Sequence, residues 1–146
     1  MKFIHEKIEI GYDDLKVESG KSGRKYITPT GEAYPSITTV LGVLSADSIA
    51  AWRARVGDEE ANKISHKATT RGTAVHDLVE KYLDNEELPK VMPHVMASLS
   101  NLKPSLSRIG KIFAQEAPLY SKHLGVAGRV DCVGLYDGVP SIIEET

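Results

Sequence analysis

The chain has 146 residues, 41% hydrophobic and 26% charged, which suits one soluble globular domain and leaves little room for a second core. No run approaches the ~20 apolar residues of a membrane span, and the opening MKFIHEKIEIGYDD lacks the apolar centre of a signal peptide, so no membrane partner and a cytoplasmic location are expected. The single cysteine, Cys132, excludes an internal disulfide and a cysteine-based zinc site, while the net charge of −2 offers no bulk basic balance for nucleic acid but leaves room for a local basic groove.

In chain order, residues 1–34 form a strand and hairpin region: the first 23, ending VESGKSG, are polar and weakly periodic and predict a short strand and loop, and RKYITPTGEAYPS then alternates as a small hairpin turning at TPTG. A helical region is expected over 35–112. PSITTVLGVL starts at Pro35 or Ser36, SADSIAAWRARVG begins with capping residues and stops at Gly57, and DEEANKISHKATTRG has acids in its first turn. A further helix covers 71–84, and PHVMASLSNLKPSLSRIGKIF forms one more, bent or divided at Pro104. From 113 onward the period becomes two. Three strands are expected at roughly 113–121, 126–136 and 140 onward, joined by the turn signals KHLG and YDGVP. Helices followed by an antiparallel three-strand meander predict an α+β domain spanning 1–146.

The chemistry-bearing residues fall in the second half. On the helix RGTAVHDLVEKYL, stepping about 100° per residue places Val75, Leu78, Val79 and Tyr82 on one apolar stripe, with His76 and Glu80 together along its border. In the strand VAGRVDCVGLY, Asp131 is the one acid in a run that is apolar apart from Arg129. Glu144 lies on the next strand, where a hairpin can bring it beside Asp131. Two such carboxylates repel unless a cation joins them, and a hard divalent ion such as Mg²⁺ accepts oxygen ligands of this kind. If the helix packs its stripe on the meander, His76 and Glu80 come to lie beside Asp131 and Glu144, and the histidine completes a metal site.

The ordered segments YPSITTVL, RGTAVHDLVEKYL, QEAPLYSKHLGVAGRVDCVG and PSIIEE resemble the PD-(D/E)XK nuclease superfamily, in the RecB-like exonuclease branch that includes the mitochondrial genome maintenance exonuclease and phage exonucleases. The resemblance spans roughly residues 24–146. It implies a restriction-endonuclease-like core and a metal-dependent DNA exonuclease, located in the host cytoplasm if phage-encoded. It implies Asp131 and Glu144 as catalytic acids, His76, Asp131 and Glu144 as ligands of Mg²⁺ or Mn²⁺, and an additional acid matched by Glu116. Thr146 stands where the family has lysine. The core is therefore expected to be incomplete at 113–146, with activity lost unless a missing C-terminal segment or partner chain supplies the rest.

Alternatives sit beside each assignment. Glu80 and Glu116 are either outer partners of the metal ligands or ordinary surface acids. Arg129 either pairs with Asp131 or contacts a phosphate, and Arg71 lies at a helix start that favours anions. Trp52 is either a core anchor or, with Arg53 and Arg55, a stacking platform and phosphate clamp for single-stranded DNA. At the level of the whole chain, the alternatives to a nuclease are a catalytically silent nucleic-acid-binding protein and a structural or partner-binding domain.

Overall fold

The computed structural model describes residues 2–21 and 23–144. It is an α+β fold with two antiparallel three-stranded sheets and three helices. β1 (Lys16–Gly20), β2 (Gly23–Ile27) and β3 (Ala33–Pro35) form the small sheet in that order. Its second hairpin turns at the expected TPTG, where Gly31 takes φ 88° and its N–H donates to the Thr28 carbonyl at 2.9 Å.

α1 (Ile37–Val56) starts where the hydroxyl of Ser36 accepts from the Thr39 N–H at 3.1 Å, satisfying one of the donors that a helix start leaves open. It does not break at SADS, where a second helix was expected to start. The Ser45 hydroxyl donates back to the Gly42 carbonyl at 3.3 Å instead of capping a new helix. Gly57, at φ 87°, ends α1 as expected and turns the chain into α2 (Asp58–Leu83). The helix expected over 71–84 is the second half of α2. Gly72 sits inside the helix without a positive φ, and Thr70 donates to the His66 carbonyl at 2.9 Å, so nothing at TTRG terminates the ladder. α3 (Pro93–Leu106) contains Pro104 only two positions before its last residue, too late for a break to divide it.

β4 (Ile109–Ser121), β5 (Val126–Tyr136) and β6 (Val139–Ile143) make the meander. β4 begins four residues before the expected 113 and carries two register shifts, between Ile109 and Lys111 and between Ile112 and Ala114. Such bulges bend a strand. Gly134 faces the second of them, and a Cβ there would stand 2.3 Å from the Lys111 carbonyl oxygen, so only glycine lets the strands approach.

The main core lies between the helices and the meander. Leu78, Val79 and Leu83 of α2 pack with Val95, Leu99 and Leu106 of α3 and with Ile109, Ile112 and Cys132 of the sheet. A second cluster of Leu15, Tyr26 and Ala127 joins the small sheet to β5. Ala127 and Cys132 thus serve separate cores, as the alternation of side chains along β5 requires. Among the described residues no helix is long and apolar enough to cross a membrane.

The C-terminal end of α2 is tied to the start of the chain. Asn85 adopts φ 61°, with its N–H donating to the Tyr82 carbonyl and the Glu86 N–H donating to that of Lys81, the Schellman arrangement. Its side-chain amide then clamps Phe3 from both sides, accepting from the Phe3 N–H at 2.7 Å and donating to the Phe3 carbonyl at 2.9 Å. Asn85→Ala removes both bonds and places an ordinary side chain in the left-handed region, so we expect a loss of about 2 to 3 kcal/mol in chemical denaturation. Asn85→Gly keeps the backbone conformation and should lose less, about 1 to 2 kcal/mol.

Candidate metal centre

Strand pairing lines up three carboxylates. β4 and β5 pair Gln115 with Cys132 and Ala117 with Val130, which sets Glu116 across from Asp131. β5 and β6 pair Cys132 with Ile143, and the same register continued by one residue sets Glu144 across from Asp131 on its other side. One row across the meander therefore carries Glu116, Asp131 and Glu144. α2 contributes the remaining groups from above. Because Leu78 and Val79 are anchored in the core, His76 and Glu80 are held along the border of the buried stripe.

The imidazole of His76 bridges two members of the row. Its Nε2 lies 2.7 Å from Glu116 Oε1 and its Nδ1 lies 3.4 Å from Asp131 Oδ1, with side chains 30%, 26% and 15% exposed for His76, Glu116 and Asp131. His76, Glu80 and Glu116 each offer a ligand atom, and all three atoms lie within 4.8 Å of one another. Glu116 meets His76 directly, the contact that an outer partner of a ligand histidine makes. It is also one of the described non-glycine residues with positive φ, at 50°, a strained backbone for a residue within a strand. The carbonyl that this conformation turns aside accepts from Arg129 Nη1 at 2.8 Å.

Arg129, read as a partner of Asp131 or a phosphate contact, has both of its terminal nitrogens engaged on other groups. Its Nη2 donates to Asp14 Oδ1 at 2.7 Å, so the guanidinium links the N-terminal segment to the Glu116 backbone. Burial pushes Glu144 upward from the ordinary carboxylate range, with the Asp131 charge adding to the shift and Glu116 contributing further. Burial likewise raises Glu80, helped by the Glu116 charge and opposed by His76. Both causes disfavour the ionised form, as crowded acids without a cation must.

The remaining predicted contacts lie elsewhere. Arg53 is engaged at the α1–α2 corner, where it donates to Asp58 at 3.2 Å and to Asn62 at 2.7 Å. Trp52 is half-buried and Arg55 exposed near the end of α1, and Arg71 reaches Ser98 of α3 at 3.4 Å. Thr146, the residue at the lysine position, lies outside the described residues. The involvement of Glu116 could be found in sequence only through the resemblance; alternation in β4 left it among ordinary half-exposed positions. No protein-family model matches the chain, and no curated protein matches it by sequence.

The donor set is one imidazole with carboxylate oxygens and no thiolate. Such a set suits Mg²⁺ or Mn²⁺, with the imidazole favouring the latter. The raised carboxyls have a consequence for stability without metal. A carboxyl whose pKa is raised on folding binds its proton more tightly in the native state, so its contribution is complete below the unfolded value and lost as pH rises through the folded value. Thermal unfolding in EDTA should therefore show a falling Tm as pH climbs from about 4.5 through the raised pKa values of Glu80 and Glu144. Asp14 and Asp137, held low by hydrogen bonds from Arg129 and Arg108, act in the opposite sense and only at lower pH. Mn²⁺ should restore the Tm above that window, since it binds the ionised carboxylates. The double variant Glu80→Gln/Glu144→Gln should show a flatter profile in EDTA and a smaller response to Mn²⁺.

Proposed function

We propose that the chain is a metal-dependent nuclease of the PD-(D/E)XK type, hydrolysing phosphodiester bonds in DNA. The observation that carries this reading is the row Glu116, Asp131, Glu144 with His76 seated across its first two members. Glu80, Glu116 and Asp131 meet at one imidazole and Glu144 lies beside Asp131, a concentration of negative charge that repels itself and a phosphate alike unless a cation is bound. Asp131 and Glu144 together with His76 would hold Mg²⁺ or Mn²⁺, and Glu80 and Glu116 lie close enough to His76 to share in the coordination. A bound divalent ion supplies polarisation of the phosphoryl oxygen and a lowered pKa for an attacking water.

The chain's own groups divide the remaining work. Asp131, the least exposed of the three groups compared above, is a fixed anchor at the centre of the row. Glu80, whose carboxylate lies within 4.8 Å of the facing atoms of His76 and Glu116, is placed to take a proton from a water. Arg129 holds the Glu116 backbone and so acts by positioning that carboxylate.

Hydrolysis of labelled single- and double-stranded DNA with Mg²⁺ or Mn²⁺ should be slow, because Thr146 has no ammonium group to stabilise charge at the lysine position, and should be abolished by EDTA. Asp131→Asn should reduce the rate by about 10²-fold or more, in keeping with the several kcal/mol that metal-assisted charge stabilisation supplies. Calorimetric titration with Mn²⁺ should show weakened binding for Asp131→Asn and for His76→Ala. Cleavage that persists in EDTA, or that is unchanged in Asp131→Asn, refutes the proposal.

A further inference from the structure

A second feature of the molecule lies on another face of α2. Between its N-terminal half and α3 runs an open groove of about 1400 Å³. Lys63, Lys67 and Arg71 line it at intervals of four residues, a row rising about 6 Å per step along the helix. No acidic residue lines the groove, although the chain as a whole carries a net charge of −2. The N-terminus of α3 opens into the same space through Met92, His94 and Val95. That helix has no side-chain cap and no acid in its first turn, so the positive end of its dipole adds to the cationic row.

Between the cations and α3 the floor is apolar. Ile64 and Met92 line it while 43% and 65% exposed, beside Val75 and Leu102. A cationic edge along an apolar floor matches a strand that presents phosphates on one side and unpaired bases on the other. A duplex hides its base faces and would leave the floor uncovered. The groove is separate from the acidic row, because His76 lies about 180° around α2 from Lys67.

We infer that the α2–α3 groove binds the sugar–phosphate backbone of single-stranded nucleic acid, with Lys67 and Arg71 on the phosphates and Ile64 and Met92 against the bases. This site does not depend on metal, and so stands independently of the nuclease reading.

The test is fluorescence anisotropy of a labelled oligo-thymidylate with the whole chain in EDTA, across a salt series. Binding should weaken linearly in log–log form. Lys67→Glu/Arg71→Glu changes two exposed side chains and should lower affinity at least tenfold at low salt, reducing the slope by about 1.4 if each residue contributes one phosphate contact. Photocrosslinking of 4-thiothymidine oligonucleotide to the unaltered chain should label peptides containing Ile64 or Met92, a readout that needs no variant. Wild-type affinity and slope in the double variant would overturn the inference. So would absence of binding by the unaltered chain, equal competition by duplex DNA, or binding to phosphatidylserine vesicles but not to the oligonucleotide. Mn²⁺ titration reports on the acidic row alone, so the failure of one site is distinguishable from failure of the other.

Discussion

The seating of α2 on the meander is the interaction on which the rest depends. Leu78, Val79 and Leu83 are almost completely withdrawn from solvent against Ile109, Ile112 and Cys132, and burial of each such α2 side chain is worth about 1.5 to 3 kcal/mol. That gain fixes the rotation of the helix. Once the stripe is committed to the core, His76 and Glu80 have no freedom to turn away from the acids below them. The Asn85 clamp on Phe3 and the contact of His5 Nε2 with the Leu83 carbonyl at 2.8 Å hold the far end of α2, so the helix is positioned at both its face and its terminus.

The same packing concentrates charge that the chain would otherwise disperse. Glu116, Asp131 and Glu144 belong to different strands and are juxtaposed only by register. Their repulsion is opposed by hydrophobic burial acting through the same strands, and Glu116 adds a left-handed backbone to the cost. Arg129 compensates the backbone without neutralising the row, since its side chain pairs with Asp14 and the Glu116 carbonyl. Free energy gained in the core thus maintains the close approach of these acids.

α2 also separates two opposite electrostatic environments. Its C-terminal half presents His76 and Glu80 to the acids, while its N-terminal half presents Lys63, Lys67 and Arg71 to the groove against α3. A helix of 26 residues is about 39 Å long, enough for one element to serve both. Continuity through Gly72 is what makes this possible. A break at TTRG would have uncoupled the direction of the basic row from the rotation of the half that carries His76 and Glu80.

Much of this was legible in the residues. Period-two alternation located β5 and the meander, Ser36 and Gly57 marked the ends of α1, and the stripe around Val79 placed His76 and Glu80 on one border. The internal starts expected at SADS and TTRG were misleading because capping residues and glycine permit a terminus without requiring one; helix propagation continues where no proline or left-handed residue interrupts it. Glu116 illustrates the other limit. Its importance comes from a register shifted by bulges in β4, which depends on how Gly134 and the Lys111 carbonyl approach. By itself the sequence determined the periodicities, the helix caps and the supply of carboxylates, because these are local properties of the chain. Only the tertiary structure decided which acids meet His76 and which cations share a groove, because strand register and helix rotation are set by burial between segments far apart in sequence.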